Sequence, residues 1–199
     1  MDKKNKYQNT SLSDKKKILA ESGIIIAAVI LLCYFFGFSY IWNTDVGAEV
    51  GVNGWNYIFA CLSQSFKKTG ALYGDIAVPF YYYAEYYTVV LSIMVTVSLG
   101  VLIVFLVFSG INIAKYNRRV SIISAILLYV LAVTFLACII TALTMNGSRI
   151  LPKYCSSNPK CSIATLAFFP FFISLGSAII YTIYIHKFEQ EEETVSVED

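Results

Sequence analysis

Five cysteines, Cys33, Cys61, Cys138, Cys155 and Cys161, are the residues best equipped for covalent chemistry in this 199-residue chain. Cys155 and Cys161 flank the segment SSNPK, and a five-residue gap containing Pro159 lets the chain return on itself. The spacing predicts a disulfide between them, formed in an oxidising compartment. Cys33 and Cys138 sit inside long apolar runs, where a thiol serves as a small apolar filler. Cys61 lies between such runs, either as a buried thiol or as the partner of a cysteine in another chain. Thiol redox catalysis uses a C-x-x-C pair, which lowers one thiol's pKa and exchanges the disulfide within it; the chain has no such pair. Zinc is not expected, because the lone histidine, His186, sits far from the paired cysteines. P-loop, nucleophile-elbow, H-E-x-x-H and glycine-rich dinucleotide motifs are missing as well, so no catalytic residue, metal or cofactor is assigned.

Carboxylates offer a second kind of chemistry. Glu21 lies near the lysine-bearing start of an apolar run, where the expectation is a carboxylate that snorkels or pairs with lysine rather than a proton site. Glu85 lies within a stretch rich in aromatic residues, FYYYAEYY at 80–87. Tyrosine suits a boundary where one end of the ring is wet and the other apolar, so an aromatic belt is the first expectation. The sharper one is a ligand or cation site around Asp75 and Glu85, walled by Tyr82 and Tyr83.

The elements that would position these residues are four apolar runs at about 18–42, 85–113, 120–145 and 162–187. A helix rises 1.5 Å per residue, so roughly 20 apolar residues cross the ~30 Å hydrocarbon core of a bilayer, and each run is long enough. With 57% hydrophobic and only 14% charged residues, the composition lies far from that of a soluble domain. The first run is longer than the 7–15 residues of a signal-peptide core and lacks a clean small-x-small cleavage site. The expected fold is therefore an all-α integral membrane protein, a four-transmembrane-helix bundle. A basic arm (1–17) precedes it, exported loops fill 43–84 and 146–161, and an acidic tail (188–199) follows.

Lysine and arginine set the orientation. Ten of them fall in the N-terminal arm, the 114–119 turn and at Lys187, against five in the two loops on the other side. By the positive-inside rule both termini are cytoplasmic, and the plasma membrane is the expected location. The basic arm has no arginine and leads directly into a membrane segment. Lipid headgroups are its natural counter-charge, and nucleic acid is not an expected partner.

Two local patterns concern packing and recognition. In the first loop, Asn53-Gly54 fits a hairpin turn between alternating valines and Trp55, Tyr57 and Phe59. Alternatively Asn53 caps a short amphipathic helix with Trp55, Ile58, Phe59, Leu62 and Phe66 on one face, and this spacing has more matches. In the second span Ser92, Thr96 and Gly100 recur at i+4 steps and predict a smooth stripe for close helix packing. Pro170 and Gly176 predict a kink and a close contact in the last span.

The layout, with a long first exported loop bearing Trp55 and a short second one bearing cysteines, resembles claudin-like and tetraspanin-like four-helix proteins in topology. A claudin pattern has a close cysteine pair after its tryptophan, where this chain has Cys61 alone, and the C-C-G of tetraspanins is missing. No residue role is carried over. The exported cysteines also resemble, loosely, quinone-linked membrane thiol oxidoreductases, whose C-x-x-C is not present. The expected role is a non-enzymatic accessory or scaffold subunit that packs against a membrane partner or itself and presents Trp55, Phe59, Tyr82, Tyr83 and Glu85. The alternatives are a transporter or channel component binding a small hydrophobic or cationic ligand at the aromatic vestibule, and, more remotely, a membrane thiol oxidoreductase.

Overall fold

The computed structural model describes residues 3–34, 37–43, 48–62, 85–147, 160–163 and 167–197. In chain order its elements are α1 (Lys3–Cys33), β1 (Gly37–Asn43), β2 (Ala48–Asn53), α2 (Gly54–Leu62), α3 (Glu85–Ala114), α4 (Arg118–Gly147), β3 (Lys160–Ile163) and α5 (Phe168–Val197). Four long helices dominate, so the protein is an all-α membrane bundle with a small sheet added to it. Within α3, α4 and α5 the stretches Val90–Ala114, Arg118–Thr141 and Phe168–Phe188 are each long and apolar enough to cross a membrane. The apolar part of α1, from Ile18 to Cys33, rises only about 24 Å and includes Glu21, so α1 is the weakest span.

The long helices also extend beyond their apolar runs. The lysine-rich segment 3–17 contains neither glycine nor proline and is already helical, and at the other end the glutamate-rich segment stays helical to Val197. Among the buried positions of α3, Leu91, Val95, Ser98, Leu102, Phe105, Ser109 and Asn112 alternate steps of four and three residues, with Ser92 buried beside the first of them. That 3.5-residue period is the seam of a helical bundle. Ile93, Val97, Ile103 and Val107 on the other faces are exposed and equally apolar, as expected of a helix surrounded by lipid.

Several expectations are corrected. The first helix, expected over 18–42, stops at Cys33, and residues 37–43 form a strand instead. The run FFGFSYIW is aromatic and β-branched with a glycine at 37, a poor helix and a good strand. β1 is the central strand of an antiparallel sheet of order β2-β1-β3, which satisfies its backbone on both edges. Of the two alternatives for the first loop the structure has the helix: Gly54–Leu62 is helical, so Asn53-Gly54 is not a hairpin turn, and the preceding strand β2 pairs antiparallel with β1. Asn53 instead precedes the helix α2. That helix buries Tyr57 and Ile58, leaving Leu62 exposed and Trp55 half-buried.

The last helix begins at Phe168 rather than 162, because 160–163 are held in the sheet. Pro170 therefore falls in the first turn, where its missing N–H has no intrahelical partner to lose, and it does not act as a mid-helix kink. The Ser92, Thr96, Gly100 stripe is buried only at its first member. Thr96 is half-buried and donates to the Ser92 carbonyl at 2.7 Å, while Gly100 is exposed with open space where a Cβ would point. A step of four residues drifts by about 40° around a helix, so such a stripe leaves the seam within two steps. Gly176 is likewise open.

The chain divides into two units. One comprises Met1–Val29, Val101–Leu131 and Ile173–Asp199. Here the glycine that matters is Gly23, where a Cβ would come within 2.5 Å of both the Ser109 and the Tyr181 hydroxyl oxygens. Buried Tyr181 donates its hydroxyl to the Leu19 carbonyl at 2.8 Å and sets its ring edge-on to Phe105, fastening α5 to α1 and α3. The turn between α3 and α4 is braced by two asparagines. The Asn117 side chain accepts the Arg119 N–H at 2.9 Å as an N-cap, and buried Asn112 accepts the Asn117 N–H while donating to the Ser121 hydroxyl. Glu21 pairs with Lys17 one turn away at 3.8 Å, both side chains exposed. The second unit comprises Ile30–Gly100 and Ala132–Phe172 and holds the sheet, α2 and the remaining lengths of the long helices.

Overpacking at the pinch point has a measurable consequence. Gly23→Ala is expected to lose about 1–3 kcal/mol of stability. Gly100→Ala, facing open space, should stay within about 0.5 kcal/mol of the parent, both read by reversible unfolding in detergent.

Candidate functional site

Within the second unit one residue joins the helices to the sheet module. Tyr34 follows the last residue of α1, and its N–H closes a tight turn on the Leu31 carbonyl at 3.1 Å. Its own carbonyl accepts the Gly54 N–H at 2.9 Å, which fixes the start of α2 beside the end of α1. The ring is fully buried, tilted against Trp55 at 5.9 Å between centroids and edge-on to Phe135 of α4 at 6.1 Å. The phenol hydroxyl meets Ser98 Oγ of α3. Ser98 directs its only hydroxyl proton to the Val95 carbonyl at 2.8 Å, so Tyr34 is the donor and the serine oxygen the acceptor. Tyr34 thus touches α2, α3 and α4 at once.

Around this hub stands a module of β1, β2, α2 and β3. The register pairs Ile41 with Val50 on one side and with Cys161 on the other, and Trp42 with Glu49 and Lys160. An irregularity between Gly37 and Ser39 shifts the β1–β2 register near the end of α1. Among the described residues β2 and β3 are the outer strands.

The residues singled out in the sequence are placed as follows. Trp55 is half-buried in α2 against Tyr34. Phe59 is on the same short helix, and Glu85 is the first residue of α3. Tyr82, Tyr83 and Asp75 lie outside the described residues, so the aromatic vestibule has no geometry to report. The expected disulfide also falls partly outside: Cys161 is on β3, whereas Cys155 is not among the described residues. Cys33, Cys61 and Cys138 are free thiols; Cys138 is buried in the α4 seam, and the other two are half-buried. Among the described residues, no cluster of three His, Cys, Asp or Glu side chains is close enough to hold a metal ion.

Among the described residues Tyr34, Ser98, Asn112 and Tyr181 carry interior hydrogen bonds between elements, and none of them belongs to the i+4 stripe. The signal was available in the seven-residue spacing of α3, whose seam includes Ser98, Ser109 and Asn112. Polar residues recurring on a seam position of an otherwise apolar span are ones that must find partners inside the bundle.

These features define a class: a helical integral membrane protein whose described interior polar groups hold helices to one another and to a small module of three strands and a short helix. Comparison with protein-family models, with curated proteins and with solved structures finds no match to the chain.

Removing the indole tests how the module is held. Aromatic pairs contribute about 0.5–1.5 kcal/mol beyond the area they bury, so Trp55→Ala should speed amide exchange in Gly54–Leu62 by about 2- to 10-fold. Exchange in Val90–Ala114 should be unchanged.

Proposed function

We propose that the chain is a non-enzymatic multi-pass membrane protein, an accessory or scaffold subunit that offers its extramembrane module to a membrane partner or to a second copy. The observation that carries this reading is the module itself. Its outer strands β2 and β3 and the half-exposed Trp55 form a fixed surface. An outer strand offers main-chain hydrogen bonds to an added strand, and a neighbouring aromatic side chain adds selectivity. Tyr34 ties this surface to the spans, so a partner gripping it would also be registered against the bundle.

In this reading α1 serves as a fourth crossing, with both termini cytoplasmic, the module outside and the plasma membrane as the location. The lysine and arginine distribution supports that orientation. Pairing of Glu21 with Lys17 at the start of the apolar part of α1 supports the crossing, because the charges sit where they reach the headgroups. A Cys155–Cys161 disulfide would staple the segment leading into β3.

Affinity purification from native membranes in mild detergent is expected to recover a stoichiometric membrane-protein partner or a defined homo-oligomer, weakened by Trp55→Ala. Recovery of a monomer that alone carries solute flux in liposomes would overturn the scaffold reading in favour of a transport one.

A further inference from the structure

Two helices of the first unit, α1 and α5, carry opposite charge where they extend past their apolar runs. Over residues 3–17, α1 has Lys3, Lys4, Lys6, Lys15, Lys16 and Lys17 against Asp14. Over 186–197, α5 has Glu189, Glu191, Glu192 and Glu193 against His186 and Lys187. Contacts nearer the membrane set the level of one helix on the other. The Tyr181 hydroxyl donates to the Leu19 carbonyl, and Tyr116 stands between Lys16, 5.1 Å from its ring centroid, and buried Phe188, whose ring meets it edge-on. Earlier residues of α1 thus lie beside later residues of α5, and the two helices run antiparallel. Both rise 1.5 Å per residue, so counting back from Leu19 and onward from Tyr181 brings residues 7–11 of α1 level with 189–193 of α5. The glutamates then fall between the lysines at 3–6 and those at 15–17, each about one helical turn or less from the level of a lysine.

Neither extension suits a helix standing alone. Lysines in a first turn oppose the helix dipole, and α1 has no acidic residue there to offset them. Lys3 and Lys6 are three residues apart, and Glu189 is three and four residues from Glu192 and Glu193, spacings at which like charges repel on a helix. Both segments are nonetheless helical, α1 from Lys3 and α5 to Val197. Opposite charge on the neighbouring helix offsets both penalties together. The lysines nearest the membrane are all engaged, Lys16 by Tyr116 and Lys17 by Glu21, with Lys15 partnered as well. Lys115, Arg118 and Arg119 around the α3–α4 turn add further positive charge at this end. Asp14, Glu21 and the four glutamates of α5 are the acidic residues that face this charge among the described ones.

We propose that the glutamates at 189–193 are the counter-charge of the lysine arm, forming a clasp between the two extensions that keeps the arm from an anionic lipid surface. The clasp lies within one chain and needs no partner protein. It goes beyond the scaffold reading and stands without it.

The test uses the full chain, one copy per nanodisc. In phosphatidylcholine, a carbodiimide that joins a carboxylate directly to an amine should give cross-linked peptides between 3–17 and 189–193. Replacing all four glutamates together (Glu189→Gln, Glu191→Gln, Glu192→Gln, Glu193→Gln) should speed amide exchange over 3–17 by about fivefold, the effect of one or two exposed ion pairs. Exchange over Val90–Ala114 should be unchanged. Adding an equal amount of phosphatidylglycerol should slow exchange of the arm in the variant, where headgroups replace the missing carboxylates, and leave the parent as it was. Absence of the cross-link, an arm indifferent to the four substitutions, or the same response to phosphatidylglycerol in parent and variant would overturn the proposal.

Discussion

The hydrogen bond from Tyr34 to Ser98 is the interaction that holds the sheet module to the long helices. A phenol hydroxyl buried in an apolar interior is costly when it has no partner. Here it has one, and the acceptor's own proton is passed on to the Val95 carbonyl. The same residue uses its backbone N–H to finish α1 and its carbonyl to start α2. Four polar groups and one ring therefore meet where a helix ends and a sheet module begins. Tyr181 plays the corresponding part in the first unit, with its hydroxyl on Leu19 and its ring on Phe105.

The requirement that every buried backbone group be paired accounts for the other boundaries. A span that ends in an apolar setting must hand its chain directly to another hydrogen-bonded structure. α1 does so into a strand paired on both edges. α3 and α4 do so across a short turn in which Asn112 and Asn117 take up the loose N–H groups. At the start of α5 the problem is smaller, because Pro170 in the first turn lacks the N–H that would otherwise need a partner.

Long uncharged runs made the helical membrane class legible, since hydrophobic length is a signal that tertiary context rarely reverses. The charge pairing of Glu21 followed from its place one turn from Lys17. The end of α1 was not legible from length alone. Residues 37–42 are as apolar as the helix before them, and the sheet that claims them is completed by 160–163, far away in sequence. Nor was close packing legible from a stripe of small residues. Gly100 and Gly176 look like contact points and face open space, while Gly23, with no such stripe around it, meets two hydroxyl oxygens. Which glycine lies at a helix crossing depends on the facing side chains, Ser109 and Tyr181, which are distant in the chain.

The most direct measurement of the central claim is a double-mutant cycle on Tyr34→Phe and Ser98→Ala, read by reversible unfolding in detergent micelles. A clamp between the end of α1 and α3 predicts a coupling energy of about 0.6 kcal/mol and up to about 1.7 kcal/mol, the range for interhelical hydrogen bonds in membranes. Strictly additive effects of the two substitutions would contradict it.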